Sequence, residues 1–191
     1  MNITIIGAGN VGSALARGLT AAGHRVTTVG NDPARIADLA ASSEAIFLAV
    51  PYAALGDVAR TIGAAADGKI VVDITNALNP DFTLALGYST SGTEELAAKL
   101  PRARIVKAFN TVFAGTMADG KVDGHPLTAF VAADDAEAKA TVMNLAGAIG
   151  FDPVDAGPLA NARLLEPLGY LNIQLGYVLG MGTQIGMKLI H

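Results

Sequence analysis

The chain is expected to fold as an α/β domain, a doubly wound parallel sheet with a small C-terminal helical segment. Three observations lead there. Short apolar runs alternate with stretches of helical periodicity from Asn2 to Asp155. Those runs carry no polar alternation, so helices should cover both faces of the sheet. A glycine-rich turn, Gly7-Ala8-Gly9-Asn10-Val11-Gly12, joins the first run to the first periodic stretch.

The elements follow in order. Asn2–Ile6 is an apolar run ending at glycine and reads as a buried strand. Asn10–Ala22 places Val11, Ala14, Leu15, Gly18 and Leu19 at helical spacing, and Gly23 ends the helix. Arg25–Val29 is a second strand, rich in Val and Thr. Pro33–Ala41 is a short helix with Asp32 as N-cap and Pro33 at its first position. Ala45–Val50 is strand, Tyr52–Ala66 helix, Lys69–Thr75 strand and Arg104–Ala108 strand. Between the last two, Ser91-Gly92-Thr93-Glu94 opens a short helix as a capping box. Leu127–Ala132 is strand, Asp134–Ile149 a helix with acidic residues in its first turn, and Asp152–Asp155 a last strand. From Leu159 onward the pattern is helical, with Pro167 expected to end or kink the helix near Glu166. A boundary falls near Ala156-Gly157-Pro158, dividing residues 1–156 from 157–191.

Composition narrows the function. Hydrophobic residues are 51% and charged residues 16%, enough apolar content for a sizeable core. The net charge of −4 leaves no basic surplus for nucleic acid. Cysteine is absent, which excludes disulfides, thiolate zinc sites and a cysteine nucleophile. No signal-peptide pattern opens the chain, so a cytoplasmic location is the default expectation. Pro167 to Met187 is an uncharged run of 21 residues. It holds Asn172, Gln174, Thr183, Gln184 and five glycines, so a buried or subunit-interface helix is expected rather than a membrane span. Leu164, Leu168, Leu171, Leu175, Val178 and Leu179 line one face there, as core or as dimer contact.

The glycine-rich turn sits after a strand and before a helix, the context that a dinucleotide fingerprint requires. Gly7 permits the tight turn, Gly9 the approach of a pyrophosphate, and Gly12 close packing of helix on strand. Free N–H groups at the helix start then favour the phosphates. The second strand ends at Gly30, without the carboxylate that an NAD site places on the ribose. Asn31 and Arg35 can donate to a 2′-phosphate, which favours NADP. Asp32, about 20 residues past Gly12, competes as a ribose-binding acid or serves as a helix cap. Ligands of such sheets sit outside the strand carboxyl ends. Ala49-Val50-Pro51, Thr75-Asn76 and Phe109-Asn110-Thr111 are therefore expected to line the site. Asn76 and Asn110 suit a carboxamide or a second ring, or simply a turn.

No general acid or base stands out, and no metal-ligand spacing. His24, His125 and His191 are expected at the surface. Lys107 can reach the cleft from its strand, or be solvated or at an interface. A site without acid or base fits hydride transfer between two bound rings, where the cofactors carry the chemistry. The rival of another class is a non-catalytic NAD(P)-binding sensor. A reductase of imines or hydroxyacids would need a larger helical domain and a proton donor.

The chain also resembles the F420-dependent NADP oxidoreductases, reductases of the deazaflavin coenzyme F420. The resemblance rests on Gly7 to Gly12, Gly30-Asn31, Val50-Pro51, Val106 to Thr111, Asp155 to Arg163, and Gly180-Met181-Gly182 through Leu189. It implies a Rossmann domain that holds NADP(H) and a deazaflavin face to face, usually as a homodimer with a small-molecule redox partner, and it adds Met181 near the second ring. Only 14 residues (31–44) join the second strand to the third, where the family usually adds a strand and helix. One edge of the sheet, near the adenine, is therefore expected to be stripped.

Overall fold

The computed structural model describes residues 1–190. His191 lies outside the described residues. The strands are β1 (Asn2–Ile6), β2 (Arg25–Val29), β3 (Ala45–Leu48), β4 (Ile70–Asp73), β5 (Arg104–Lys107), β6 (Lys121–Val122), β7 (His125–Pro126), β8 (Thr128–Val131) and β9 (Asp152–Asp155). The helices are α1 (Asn10–Ala21), α2 (Pro33–Ser42), α3 (Tyr52–Ile62), α4 (Gly92–Lys99), α5 (Ala136–Ile149) and α6 (Ala162–Ile173).

Five parallel strands form the central sheet in the order β2-β1-β3-β4-β5. This is the Rossmann order without its outermost strand. The short connection through α2 leaves β2 at the edge, as the sequence suggests. Side chains alternate between two cores. Ile3, Ile5, Phe47, Val72 and Val106 pack with α1 and α5. Ile6, Ile46, Leu48, Val71 and Ile105 pack with α2, α3 and α4. The fold is thus a Rossmann-like α/β fold with a helix at its C-terminal end.

Local chemistry explains the element boundaries. Gly23 takes φ +88° after α1, a conformation that L side chains rarely adopt. Asp32 caps α2 by accepting from the Arg35 N–H at 3.1 Å. Ser91 caps α4 by accepting from Glu94 N–H at 3.2 Å. Asp135 caps α5, accepting from Ala138 N–H at 2.8 Å.

Three expectations are corrected. Strands β8 and β9 do not extend the main sheet; they pair with each other, and an antiparallel bridge between Lys107 and Ala132 ties β8 to β5. Helix α6 runs through Pro167 without ending there, followed by a π turn over Gln174–Val178. A proline in a helix forfeits one backbone bond, but tertiary donors hold this helix. Asn110 Nδ2 donates to Leu165 O at 2.7 Å and Asn172 Nδ2 to Thr111 O at 3.1 Å. Helical structure does not continue to the end of the chain, because Gly180 and Gly182 adopt φ +72° and +78°. Residues 179–190 run as an irregular strap, with Thr128 N–H donating to Met187 O.

The leucine stripe is not core. Leu164, Leu171, Val178 and Leu179 are all exposed. The buried face of α6 carries Ala162, Leu165, Glu166, Gly169 and Asn172 instead. Among the described residues no helix is long and apolar enough to cross a membrane.

Acid should loosen this fold over a defined window. Hydrogen bonds from Arg104 hold Asp135 down to about 2, from an ordinary 3.8. A depressed carboxylate stabilises the folded state above its unfolded pKa and loses that contribution as pH falls through the folded one. The contribution of this pair is therefore lost between about pH 4 and pH 2. Asp135→Asn, which keeps the helix cap, should flatten the fall of Tm in that window. An unchanged pH profile would refute the role of the pair.

Candidate functional site

The strand order reverses between β1 and β3, because β2 lies to one side of them and β4 and β5 to the other. A crevice opens there, outside the strand carboxyl ends. Gly7 turns the chain at φ +114°, and a Cβ on it would sit 2.1 Å from Ala49 O. A Cβ on Gly12 would sit 1.8 Å from Gly7 O. These two glycines are needed by the fold itself.

Gly9 differs. Its φ is −77°, open to any residue, and no atom lies within 4 Å of where its Cβ would stand. It is the N-cap of α1, and no side chain caps that helix. The first N–H groups of α1 therefore open on the crevice. Among the described residues nothing requires glycine at this position.

Two cavities meet at Gly9. One, of about 550 Å³, lies toward β2 and includes Gly7, Ala8, Gly30, Asn31, Ile36 and Val58. Arg35 is exposed and is not part of its wall. The Asp32 carboxylate is occupied as the α2 cap. The other cavity, of about 720 Å³, lies toward β4 and includes Asn10, Val11, Ala49, Val50, Pro51 and Asn76. Tyr52 lies on its wall, with its hydroxyl donating to Glu95 at 2.8 Å. Burial, then the Glu95 carboxylate, pushes this phenol up to about 12, so it stays protonated at neutral pH.

A smaller pocket of about 270 Å³ lies behind, between the ends of β4 and β5 and helix α6. Asn76 and Asn110 clasp one another there. Asn110 Nδ2 donates to Asn76 Oδ1 at 2.8 Å, and Asn76 Nδ2 donates to Asn110 O at 3.0 Å. Gly169 of α6 packs against the pair so closely that a Cβ would stand 2.5 Å from Asn76 Oδ1. Asn110 Oδ1 and Thr75 Oγ1 are buried without a hydrogen-bond partner among the described residues. Phe109, just before Asn110, adopts φ +64° in full burial. Backbone strain of that kind gathers at functional sites. Met181 is 59% exposed and lies on the wall of none of these three cavities.

Sequence reasoning missed what supports this pocket. Lys107 is neither solvated nor at the surface. It is fully buried and donates to Asp73 Oδ2 at 3.0 Å, Glu166 Oε1 at 3.2 Å and Thr75 O. Thr93 Oγ1 donates to Asp73 Oδ2 at 2.6 Å, and the Gly92 N–H donates to Glu166 Oε2 at 3.1 Å. The cluster joins β4, β5, α4 and α6. It holds α6 against the strand ends and so sets the wall that Gly169 and Asn172 provide. The one available signal was Glu166, the single acid in α6 and the last charged residue before the uncharged run that starts at Pro167. Among the described residues no group of three or more His, Cys, Asp or Glu side chains is placed to hold a metal ion.

Comparison with known proteins adds to this geometry. The family described as NADP oxidoreductase, coenzyme F420-dependent, matches residues 2–77, the span that builds the glycine turn and both flanks of the crevice. A crystal structure from Arthrobacter sp. FB24, of a candidate F420-dependent NADP reductase, is 31% identical with a TM-score of 0.92 over 100% of both chains. The chain belongs to the family of coenzyme F420-dependent NADP oxidoreductases. A second structure, of a protein from Sinorhizobium meliloti, is 31% identical with a TM-score of 0.72, covering 84% of this chain and 86% of that one. The metalloreductase STEAP3 of Rattus norvegicus is 33% identical over 87% of this chain, which spans 36% of that longer protein. The Arthrobacter structure thus matches the whole described fold, including the segment after β9, while the family model matches residues 2–77.

Proposed function

We propose that the chain binds NADP(H) across this crevice and supports hydride transfer to a deazaflavin, coenzyme F420, or a flavin-like ring. The observation that carries the reading is Gly9: an open position in front of an uncapped helix N-terminus, at the reversal of strand order. The family name and the relatives named as reductases support the same chemistry.

In this reading Gly7, Ala8, Gly9, Asn10, Val11 and Gly12 form the pyrophosphate turn, with backbone N–H groups of α1 meeting the negative charge. Gly30, Asn31 and Arg35 meet the 2′-phosphate. Ala49, Val50 and Pro51 form the apolar ledge beside the ribose and nicotinamide. Asn76 and Asn110 bound the ring pocket, and Asn110 Oδ1 is the acceptor we assign to an amide N–H there. Met181 sits outside the cavities, so it reaches a ring only if the strap moves inward. Residues 1–156 supply the dinucleotide half and residues from 157 on supply its far wall. Bound here, NADPH would supply a hydride from its nicotinamide, and a proton from solvent would complete reduction of the acceptor. The protein aligns the two rings. A second copy of the chain is the partner we assign to the exposed Leu164, Leu171 and Val178, one face at seven-residue spacing. A mass of one chain by light scattering would overturn that assignment.

The test is a titration with NADPH and NADH, then addition of coenzyme F420 and of FMN while following absorbance at 340 nm. Preference for NADPH and its oxidation by F420 are expected. Equal affinity for NADH would remove Asn31 and Arg35 from the site. Tight binding without oxidation would replace the reductase by a dinucleotide sensor.

A further inference from the structure

Beyond β4 the chain makes a small hairpin over the larger cavity. Ala85 N–H donates to Ala77 O at 2.8 Å, Asn79 N–H donates to Thr83 O at 2.8 Å, and Leu78 bridges Leu84. Phe82 N–H donates to Asn79 O at 2.9 Å, so Asn79-Pro80-Asp81-Phe82 is a turn with proline at its second position. Asp81 Oδ1 accepts from Thr83 Oγ1 at 2.7 Å, and Asn79 Nδ2 donates to Thr83 Oγ1 at 3.0 Å. The loop between Asn79 and Thr83 has three residues, and its last takes a left-handed conformation, φ +63° at Phe82. Such loops normally place glycine there.

Phenylalanine at this position carries two penalties. Its backbone is strained, and its ring is 66% exposed. Among the described residues no aromatic ring pairs with it; the ring pairs join Phe47 to Phe109, Phe109 to Phe151, and Phe113 to Tyr177. The turn is braced by its own hydrogen bonds and does not need the ring. Yet Phe82 lies on the wall of the 720 Å³ cavity, with Val50, Pro51, Tyr52 and Ile74. That cavity continues from Gly9 and Asn10 and exceeds the needs of one nicotinamide ring, since pockets of roughly 300–1,000 Å³ hold whole drug-sized ligands.

We propose that Phe82 is the stacking platform for the fused aromatic ring of the hydride acceptor. The inference rests on the hydride-transfer reading above and assigns a residue to its second ligand. The strained turn aims the ring over the cavity before the acceptor arrives, and burial against a flat heterocycle offsets its exposure. Phe82 is a positioning residue: it takes no proton and passes no electrons.

The test uses the full chain, saturated with NADP⁺ and titrated with FMN and with F420. Phe82→Gly should raise or leave the Tm, because glycine suits the left-handed position, while ring affinity falls about tenfold or more. NADPH affinity should stay within about twofold, and in turnover KM for the acceptor should rise without a matching change in KM for NADPH. Phe82→Trp should keep tight ring binding. It also introduces the chain's first tryptophan, as the sequence has none, and its emission should be quenched on adding FMN. A lower Tm in Phe82→Gly with NADPH and ring binding equally weakened would make Phe82 a turn residue only. Unchanged ring affinity in Phe82→Gly, with wild-type turnover intact, would overturn this inference alone. A wild type that binds neither ring would overturn it together with the reading it rests on.

Discussion

Gly9→Val should abolish dinucleotide binding and leave the chain folded. Valine tolerates the extended backbone at this N-cap, and its side chain would meet no atom of the chain within 4 Å of the Cβ. The loss of a good N-cap residue costs about 1 kcal/mol. The methyl groups would occupy the space that the pyrophosphate needs. Affinity for NADPH should fall at least ~100-fold, about 2.8 kcal/mol, with circular dichroism unchanged. Gly12→Ala is the control with the opposite behaviour. Its Cβ would stand 1.8 Å from Gly7 O, a backbone atom that cannot move aside cheaply, so it should lose stability as well as binding. Isothermal titration beside thermal melts separates the two. If Gly9→Val binds NADPH as the wild type does, the crevice is not the dinucleotide site.

Lys107→Met should be among the most destabilising single changes in the chain. It removes the one cation held between the buried Asp73 and Glu166 carboxylates. Breaking a buried pair by removing one partner costs about 3–5 kcal/mol. Here two acids lose their partner, and Thr75 O loses a donor. Adding Glu166→Gln should recover part of the loss, because only one carboxylate is then left uncompensated. A double-mutant cycle by urea unfolding measures that coupling. Additive losses would mean that the lysine and the glutamate act independently. The cluster anchors α6, so NADPH oxidation should fall in the variants that still fold.

These two variants mark what was legible in the sequence and what was not. The glycine turn, the strand starts and the caps at Asp32 and Ser91 follow from local rules that act over a few residues. They emerge where expected, while Val50, Pro51 and Asn76 lie along the crevice and Asn110 in the pocket behind it. The C-terminal third obeys a different logic. Leucine periodicity in α6 suggested a face for the core or for a dimer contact, yet the helix buries Glu166, Gly169 and Asn172. Those residues face a polar layer built from Asp73, Lys107, Thr93 and Asn110, which lie 56 to 99 positions earlier in the chain and meet only in the folded state. Hydrophobic patterning cannot see a buried face that is polar because its partners are polar. Phe82 escaped for a similar reason: its backbone conformation contradicts its residue type, so no turn rule selects it.

The missing outer strand has a dynamic consequence. Strands β1, β3 and β4 are paired along both edges and covered on both faces, so their amides should exchange only when the whole domain opens. Strand β2 is paired on one edge alone, and four of its five residues are partly or fully accessible. It can fray while the rest stays closed. The groove therefore has a stiff end, where rings would meet at the tips of β4 and β5, and a soft end, where Gly30 and Asn31 follow β2. A nucleotide held this way would be clamped where the reaction demands alignment and left to breathe at its purine, so that release can begin there.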